Sequence, residues 1–227
     1  VVSVCTIISS FFSEKLIRKL TTKWVVSLSI LLTAFGLFSF SMVREGYTWL
    51  FYLCAIPLGL GAGAIDSALN NYVALHYKAI HMNWLHCSWG VGASVSPLII
   101  SPFIDTSNQS AGWYNGIRVI AIVQLSIALI SFLSLPLWGK AHKKEIALEK
   151  EEEQFKEVEK TPLLENPIFY LAITGFFCYC ALETTTGLWS GNYFYYTWNV
   201  DSKEAASLTS LFYIGITTGR FISGPIS

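Results

Sequence analysis

The sequence predicts an all-α membrane protein, and three observations support this fold class. Hydrophobic residues make up 53% of the 227-residue chain and charged residues only 13%, whereas a soluble domain usually carries about 25% charged residues. The apolar residues gather in stretches of about 20 residues, which is the length that crosses a bilayer as a helix. Basic residues collect on one side of these stretches, as they do in cytoplasmic loops.

The apolar stretches divide the chain into six nearly complete spans and half of another. The half span covers residues 1–12, and a basic loop over residues 13–23 follows it. The predicted complete spans are 24–43, 49–76, 83–104, 113–138, 167–200 and 205–227. Because residue 1 is a valine and the first apolar stretch is roughly half a span long, we expect the chain to be a fragment of a longer protein.

A charged segment separates the spans into two groups. It holds eight of the fifteen acidic residues and six lysines. We therefore predict an N-terminal transmembrane half over residues 1–139, a charged cytoplasmic linker over 140–166, and the start of a C-terminal transmembrane half over 167–227. With the loop 13–23 placed inside, twelve of the fifteen basic residues, Arg220 among them, lie on the inner side. This asymmetry predicts that the loop 13–23 and the segment 140–166 lie on the cytoplasmic side of the membrane.

Several classes of function are excluded or disfavoured by what the sequence carries. The formal net charge is zero, which argues against nucleic-acid binding. The five cysteines lie in apolar stretches and are interpreted as small buried hydrophobic residues rather than a disulfide framework. The sequence has no phosphate-binding loop, nucleophile elbow or metal-ligand pair, so we expect neither a pump nor an enzyme, and neither a metal nor a cofactor.

The glycine-rich stretch 59–73 is the strongest candidate for a functional site, since it carries Asp66, Asn70 and Asn71 inside an apolar span. A carboxylate in a span costs roughly 2.5 to 3.5 kcal/mol on insertion scales and usually faces a functional interior. On a helix, four residues share one face: Gly59, Gly63, Asp66 and Asn70. This face is either a tight helix seam, with Asp66 hydrogen-bonded to a neighbour, or a binding face where Asp66 exchanges a proton or binds a solute hydroxyl.

Glu183 is the second acidic residue inside a span. Gly187 and Gly191 flank Trp189 and predict a weakened helix there, because glycine is destabilising inside a helix. Broken spans are typical where transporters bind their solutes. Trp189 lies beside Glu183 and Asn192 and is the tryptophan we expect to stack on a ligand. A purely structural role for Glu183 remains an alternative.

The other polar and aromatic residues within spans are weaker candidates. Gln124 and His86 lie within spans and are candidates to line a cavity. A lone histidine is more often a core residue whose hydrogen bonds are satisfied, so that interpretation of His86 stays open. Most other tryptophans are expected to anchor the spans at the membrane surfaces or to pack between helices.

The order of these segments resembles the major facilitator superfamily, entered halfway through its second span and left at the end of its eighth. The charged segment 140–166 follows what would be the sixth span, where the family joins its two halves. The basic loop 13–23 resembles the family's loop between spans two and three, although Thr21 stands where glycine is common. The sequence 215–224 repeats the pattern of this loop at the matching place in the second half. The resemblance implies an incomplete helical bundle of this family.

A closer resemblance is carried by the stretch 61–72 together with 83–92, which is similar to the fucose permease group of proton-coupled sugar transporters. The resemblance implies that Asp66 takes part in proton coupling and sugar binding and that Asn70 lines the cavity. Glu183 and Trp189 are also similar to a pattern in these relatives.

We therefore expect a multi-pass secondary active transporter of the plasma or inner membrane, a monomer that uses the proton gradient to import a sugar or another small polar solute. Its expected partners are the solute, protons and the lipid bilayer. The expected substrate-binding residues are Asp66, Asn70, Asn71, Gln124, Glu183, Trp189 and Asn192, with Asp66 and Glu183 also in proton coupling. Two alternatives remain, namely a drug or metabolite exporter of the same fold and a receptor or scaffold that transports nothing.

Overall fold

The computed structural model describes residues 1–43, 46–104, 112–138 and 166–226, and these ranges contain seven α-helices and no strand. The helices are α1 (Val2–Leu20), α2 (Thr22–Phe40), α3 (Leu50–His76), α4 (Ala79–Ile100), α5 (Trp113–Ser134), α6 (Pro167–Trp198) and α7 (Ser202–Ile226). Short 3-10 turns extend α4 over Ser101–Phe103 and α5 over Leu135–Trp138. The predicted all-α fold class is confirmed.

Four of the described helices are long and apolar enough to cross a membrane: α2, α3, α5 with its 3-10 extension, and α6. Helices α4 and α7 occupy the other two predicted spans but do not meet this standard. Polar side chains such as Asn83 and His86 lower the mean hydropathy of α4. A helix that carries polar groups in a membrane protein usually turns them toward the protein interior, which is what the candidate site below shows.

The predicted loop between the first two spans is wrong, because α1 continues through residues 13–20 and only Thr21 separates it from α2. Residues 14–20 are mostly good helix formers. Glu14 and Arg18 form an ion pair at 3.1 Å across one turn of the helix. Ile17 packs in a buried cluster that includes Val25. The charged residues that suggested a loop therefore form the polar end of a helix.

The predicted break in the span around Trp189 is also wrong. Helix α6 is an unbroken helix of 32 residues, and it contains both Gly187 and Gly191. A Cβ atom on Gly187 would overlap the hydroxyl of Tyr213 on α7. Gly187 therefore permits the close approach of α7 and does not interrupt α6.

Helix α3 lies between α1 and α2, α2 also packs on α5, and α7 packs on both α4 and α6. Small residues permit these contacts, as is usual between membrane helices. A Cβ atom on Gly61 of α3 would lie 2.7 Å from both the carbonyl oxygen of Ser29 and Cγ2 of Thr33 on α2. The pairing of α4 with α7 joins helices from the two sides of the charged segment.

The predicted cytoplasmic linker lies outside the described residues, except for Asn166. The six lysines that contribute most to the predicted orientation lie there as well. The division into two halves, at residues 139 and 167, therefore stays a prediction. What the structure does show is the contact between helices on the two sides of this segment.

Candidate functional site

A cavity of about 770 Å³ lies where the seven helices meet. This volume falls within the range of small-molecule sites, roughly 300 to 1,000 Å³. Each of the seven helices contributes at least one polar or aromatic side chain to the wall: Thr6, Thr33, Asp66, Trp89, Gln124, Glu183 and Arg220, in chain order. The cavity thus combines the two strongest candidates from the sequence, Asp66 and Glu183, in one site.

Asp66 lies on the α3 wall of the cavity with its side chain exposed. The amide nitrogen of Asn70, one turn further along α3, donates a hydrogen bond to Asp66 Oδ1 at 3.3 Å. Asn70 Oδ1 is buried without a hydrogen-bond partner. Among the described residues no basic side chain forms an ion pair with Asp66. The Asp66 carboxyl group is therefore accessible to a proton or a solute.

The glycines that the sequence places on the same face as Asp66 have a different role. Gly59 and Gly63 are buried against α1, and a Cβ atom on Gly59 would lie 2.5 Å from the carbonyl oxygen of Val2. Three hydroxyls of α1 donate to backbone carbonyls of α3: Thr6 to Gly59 at 3.2 Å, Ser9 to Leu60 at 2.5 Å and Ser10 to Gly63 at 3.2 Å. The glycines form a helix seam, and the polar residues after them line the cavity.

Glu183 forms an ion pair with Arg220 on the α6–α7 wall of the cavity. The guanidinium nitrogen Nη2 lies 3.2 Å from Glu183 Oε2 and 3.3 Å from Oε1. It also donates to the hydroxyl of Tyr179 at 2.7 Å. Only 8% of Glu183 is exposed, and breaking a buried ion pair by removing one partner costs about 3 to 5 kcal/mol. Glu183 and Arg220 therefore form one structural unit.

Arg220 also contacts α4. Its other terminal nitrogen, Nη1, donates to the backbone carbonyl of His86 at 3.4 Å. The guanidinium carbon lies 5.1 Å from the centre of the Trp89 ring, within the range of a cation–π contact. The edge of Trp89 in turn meets the ring of Tyr213, with centroids 6.1 Å apart. Arg220 thus connects α7 with both α6 and α4 at the cavity wall.

Arg220 is the site residue that the sequence analysis missed. It was counted with the basic residues of the inner side, whereas the structure places its side chain against Glu183 in the cavity wall. The signal that could have found it is the one that identified Asp66, namely a charge within a predicted span. Trp89 is not among the predicted binding residues, although its ring lines the cavity.

Gln124 lines the cavity from α5 and is fixed by a hydrogen-bonded chain to α2. Its amide nitrogen donates to Thr33 Oγ1 at 2.9 Å, and this hydroxyl donates to the carbonyl of Ile30 at 2.8 Å. Buried polar groups are normally satisfied in this way. The chain of bonds holds the Gln124 amide at a defined position beside the cavity.

The structure brings four of the seven predicted binding residues to this cavity: Asp66, Asn70, Gln124 and Glu183. The other three, Asn71, Trp189 and Asn192, are exposed and do not line it. Asn71 is the neighbour of Asn70 on α3 and is turned about 100° from it around the helix axis. A role for these three residues stays a prediction.

The chemistry available in the cavity is hydrogen bonding, aromatic contact and proton exchange. Within the described ranges, no group of three histidine, cysteine or acidic side chains lies close enough to hold a metal ion. A cavity that carries a few charged and amide groups and lies between membrane-type helices from two parts of the chain fits the general design of a secondary transporter.

The chain belongs to the major facilitator superfamily, a family of membrane transporters, because the model of that family matches residues 1–227. A curated protein of Saccharomyces cerevisiae, bypass of stop codon protein 6, is 24% identical over 193 residues. The match covers 75% of this chain and 37% of the yeast protein, so the chain spans little more than a third of the length of that relative. No solved structure matches the chain.

Proposed function

We propose that the protein is a proton-coupled symporter that imports a sugar or another small polar solute. The observation that carries this proposal is the position of Asp66. Its carboxyl group is accessible from a cavity of small-molecule size and forms no ion pair among the described residues. A carboxyl group in that setting can take up and release a proton during each transport cycle.

The remaining wall of the cavity suits a neutral solute rich in hydroxyl groups. Asn70, Gln124 and Thr184 supply amides and a hydroxyl, and the ring of Trp89 supplies an aromatic face. Glu183 and Arg220 compensate each other's charge. A proton on Asp66 would therefore leave the cavity without net charge from its carboxylates and its arginine, which favours a neutral solute over an ion.

In the proposed cycle, Asp66 takes a proton from the outer side, and the solute then binds near Asn70 and Glu183. The two halves of the transporter rock around the site and release both to the inner side. Asp66 and Glu183 are the two candidate carboxyl groups for proton coupling. Asp66 is the stronger candidate, because a proton on Glu183 would leave Arg220 without its counter-ion.

The proposed setting is the cell membrane, with the protein acting as a monomer and residues 140–166 in the cytoplasm. This placement is supported by the twelve-to-two distribution of basic residues between the two sides in the sequence, although Arg220 belongs to the cavity. Without Arg220, the basic residues on the inner side still far outnumber those on the outer side.

The proposal is tested with the full-length protein in proteoliposomes. An inward proton gradient is imposed, and uptake of radiolabelled L-fucose and D-glucose is measured together with proton influx. A broader panel of sugars is first ranked by thermal stabilisation, because a ligand that binds the folded state raises its stability. We expect uptake of at least one sugar with simultaneous proton influx. Proton-driven efflux, or sugar uptake that ignores the gradient, would contradict the proposal.

A further inference from the structure

We infer that Arg220 is a positioning residue that holds Glu183 as a permanent carboxylate, so that Asp66, of the two carboxyl groups that line the cavity among the described residues, is the one that carries the transported proton. This inference rests on the proposed function and decides between its two candidate carboxyl groups. It assigns a role to Arg220, which the sequence pattern groups with the basic residues of the inner side.

The first step is the geometry of the ion pair. One nitrogen of Arg220 reaches both oxygens of Glu183, at 3.2 and 3.3 Å. The guanidinium is always charged in proteins. A proton on Glu183 would remove the negative charge opposite the guanidinium, which is only 21% exposed, and leave that cation without compensation. Because removing one partner of a buried ion pair is strongly destabilising, the pair favours the carboxylate form of Glu183.

The second step is the fixed position of Arg220. Its guanidinium is held by the carbonyl of His86 and by the ring of Trp89, both on α4, and by the hydroxyl of Tyr179 on α6. A move toward any other acid would break these contacts together with the pair to Glu183. Asp66, on α3, therefore gains no counter-ion from Arg220 and remains the carboxyl group whose charge a proton can neutralise.

The third step concerns the other titratable groups that face the pair. They are Tyr179 on α6, Tyr213 on α7, and His86 on α4, which also lines the cavity. Tyrosine hydroxyls ordinarily release a proton near pH 10, so Tyr179 and Tyr213 do not exchange protons at neutral pH. Imidazole side chains are common proton carriers, so the test includes His86.

The experiment is infrared difference spectroscopy between acidic and neutral pH on the full-length protein in lipid. A protonated carboxyl group gives a carbonyl band that a carboxylate or a histidine does not give. We expect Asp66→Asn to remove one carboxyl component from the titrating carbonyl band, to which the exposed acids also contribute, whereas Glu183→Gln and His86→Gln leave the band unchanged. In Arg220→Gln, a second titrating band should appear, and the double variant Arg220→Gln with Glu183→Gln should lose it.

The matched control is Arg220→Lys, which keeps the positive charge and should show no second band. Removal of a band component by Glu183→Gln would overturn the inference, as would an unchanged band in Asp66→Asn. The absence of a second band in folded Arg220→Gln would overturn the role of Arg220. Thermal unfolding shows which variants are folded. Three variants keep Arg220, namely Asp66→Asn, Glu183→Gln and His86→Gln, and they still decide which carboxyl group carries the proton if Arg220→Gln does not fold.

The two proposals fail in different experiments. If proteoliposomes show no proton-coupled uptake, the proposed symport is wrong. If uptake is coupled but the titrating band belongs to Glu183, the symport stands and the assignment of Arg220 is overturned.

Discussion

At the residue scale, the surroundings of two acidic side chains separate their roles. Glu183 is buried beside a guanidinium that also contacts two neighbouring helices. Asp66 is open to the cavity and has one amide donor, Asn70, from its own helix. The first arrangement stabilises the negative charge of Glu183, and the second leaves the negative charge of Asp66 available for neutralisation by a proton. An acidic residue in an apolar sequence can thus serve either purpose, and its partners decide which.

The adjacent amides of α3 provide a residue-scale prediction. Asn70 lines the cavity and bonds to Asp66, whereas Asn71 is exposed outside it. We expect Asn70→Ala to raise the KM of proton-driven sugar uptake about tenfold, since a lost hydrogen bond of about 1.4 kcal/mol corresponds to that factor. Asn71→Ala should change KM less than twofold. Equal effects of the two substitutions would place the binding face of α3 elsewhere.

Much of the candidate site could be read from the sequence, because a charge in an apolar span is conspicuous in any one-dimensional pattern. Asp66 and Glu183 were found in this way. Arg220 was not, since its neighbours repeat a loop pattern and only the packing of α7 brings it to Glu183. The choice between Trp89 and Trp189 also depended on packing, because both are tryptophans within predicted spans and only the crossing of α4 with α7 places one beside the cavity.

At the scale of the helices, glycines and hydroxyl-bearing residues of α1, α2 and α3 determine how closely these helices approach. The hydrophobic effect does not drive helices together inside a membrane, so they associate through such close packing and through hydrogen bonds. The seam between α1 and α3 uses both, with three hydroxyl-to-carbonyl bonds beside Gly59 and Gly63. The seam fixes the rotation of α3 and so directs Asp66 toward the cavity.

The seam between α2 and α3 predicts a difference between two glycine substitutions. In Gly61→Ala the new methyl group would lie 2.7 Å from the backbone oxygen of Ser29, and overpacking of this kind costs about 1 to 3 kcal/mol. The matched control is Gly175→Ala in α6, where no atom lies within 4 Å of the new group and helix propensity favours alanine by about 1 kcal/mol. Thermal unfolding in detergent should show a lower midpoint for the first variant only. A destabilised Gly175→Ala with an unaffected Gly61→Ala would contradict the packing described.

The junction of α1 and α2 predicts a stabilising substitution. Thr21 has φ 66° and ψ 150°, a region that is occupied almost only by glycine and costs other residues about 1 to 3 kcal/mol. Thr21→Gly should therefore raise the free energy of unfolding by up to that amount. Thr22→Gly, at the first residue of α2, is the control and should lower it, because glycine is a poor helix former. Unfolding midpoints of the two variants provide the measurement, and a destabilised Thr21→Gly would show that the junction has another conformation.

The positions of the helices followed well from hydrophobic runs, whereas their ends and interruptions did not. The predicted span 49–76 begins one residue before α3 and ends with it, and α6 starts at the predicted residue. The segment 13–20 looked like a loop because of its charges, but the ion pair of Glu14 with Arg18 and the burial of Ile17 keep it helical. Gly187 looked like a helix breaker, but its role depends on Tyr213, which is 26 residues away in the chain. Contacts of this kind are not visible in a local pattern.

At the scale of the whole molecule, the contact of α4 with α7 links the two sides of the charged segment and completes the cavity. Arg220 lies at this contact and binds groups on both α6 and α4. A change in the relative position of the helices on the two sides of this segment would therefore alter the contacts of Arg220 and the cavity wall together. The position of the site between helices from both sides agrees with the membership of the chain in a family of transporters.

The central claim is that Asp66 couples a proton to solute movement, and a comparison of accumulation with exchange in the same proteoliposomes tests it most directly. The solute is the sugar that the uptake screen identifies, and the variants are Asp66→Asn and the control Asp201→Asn, an exposed acid outside this cavity. We predict that Asp66→Asn abolishes uphill accumulation under an inward proton gradient but retains exchange of labelled for unlabelled sugar, while Asp201→Asn retains both. Undiminished accumulation by Asp66→Asn would contradict the account.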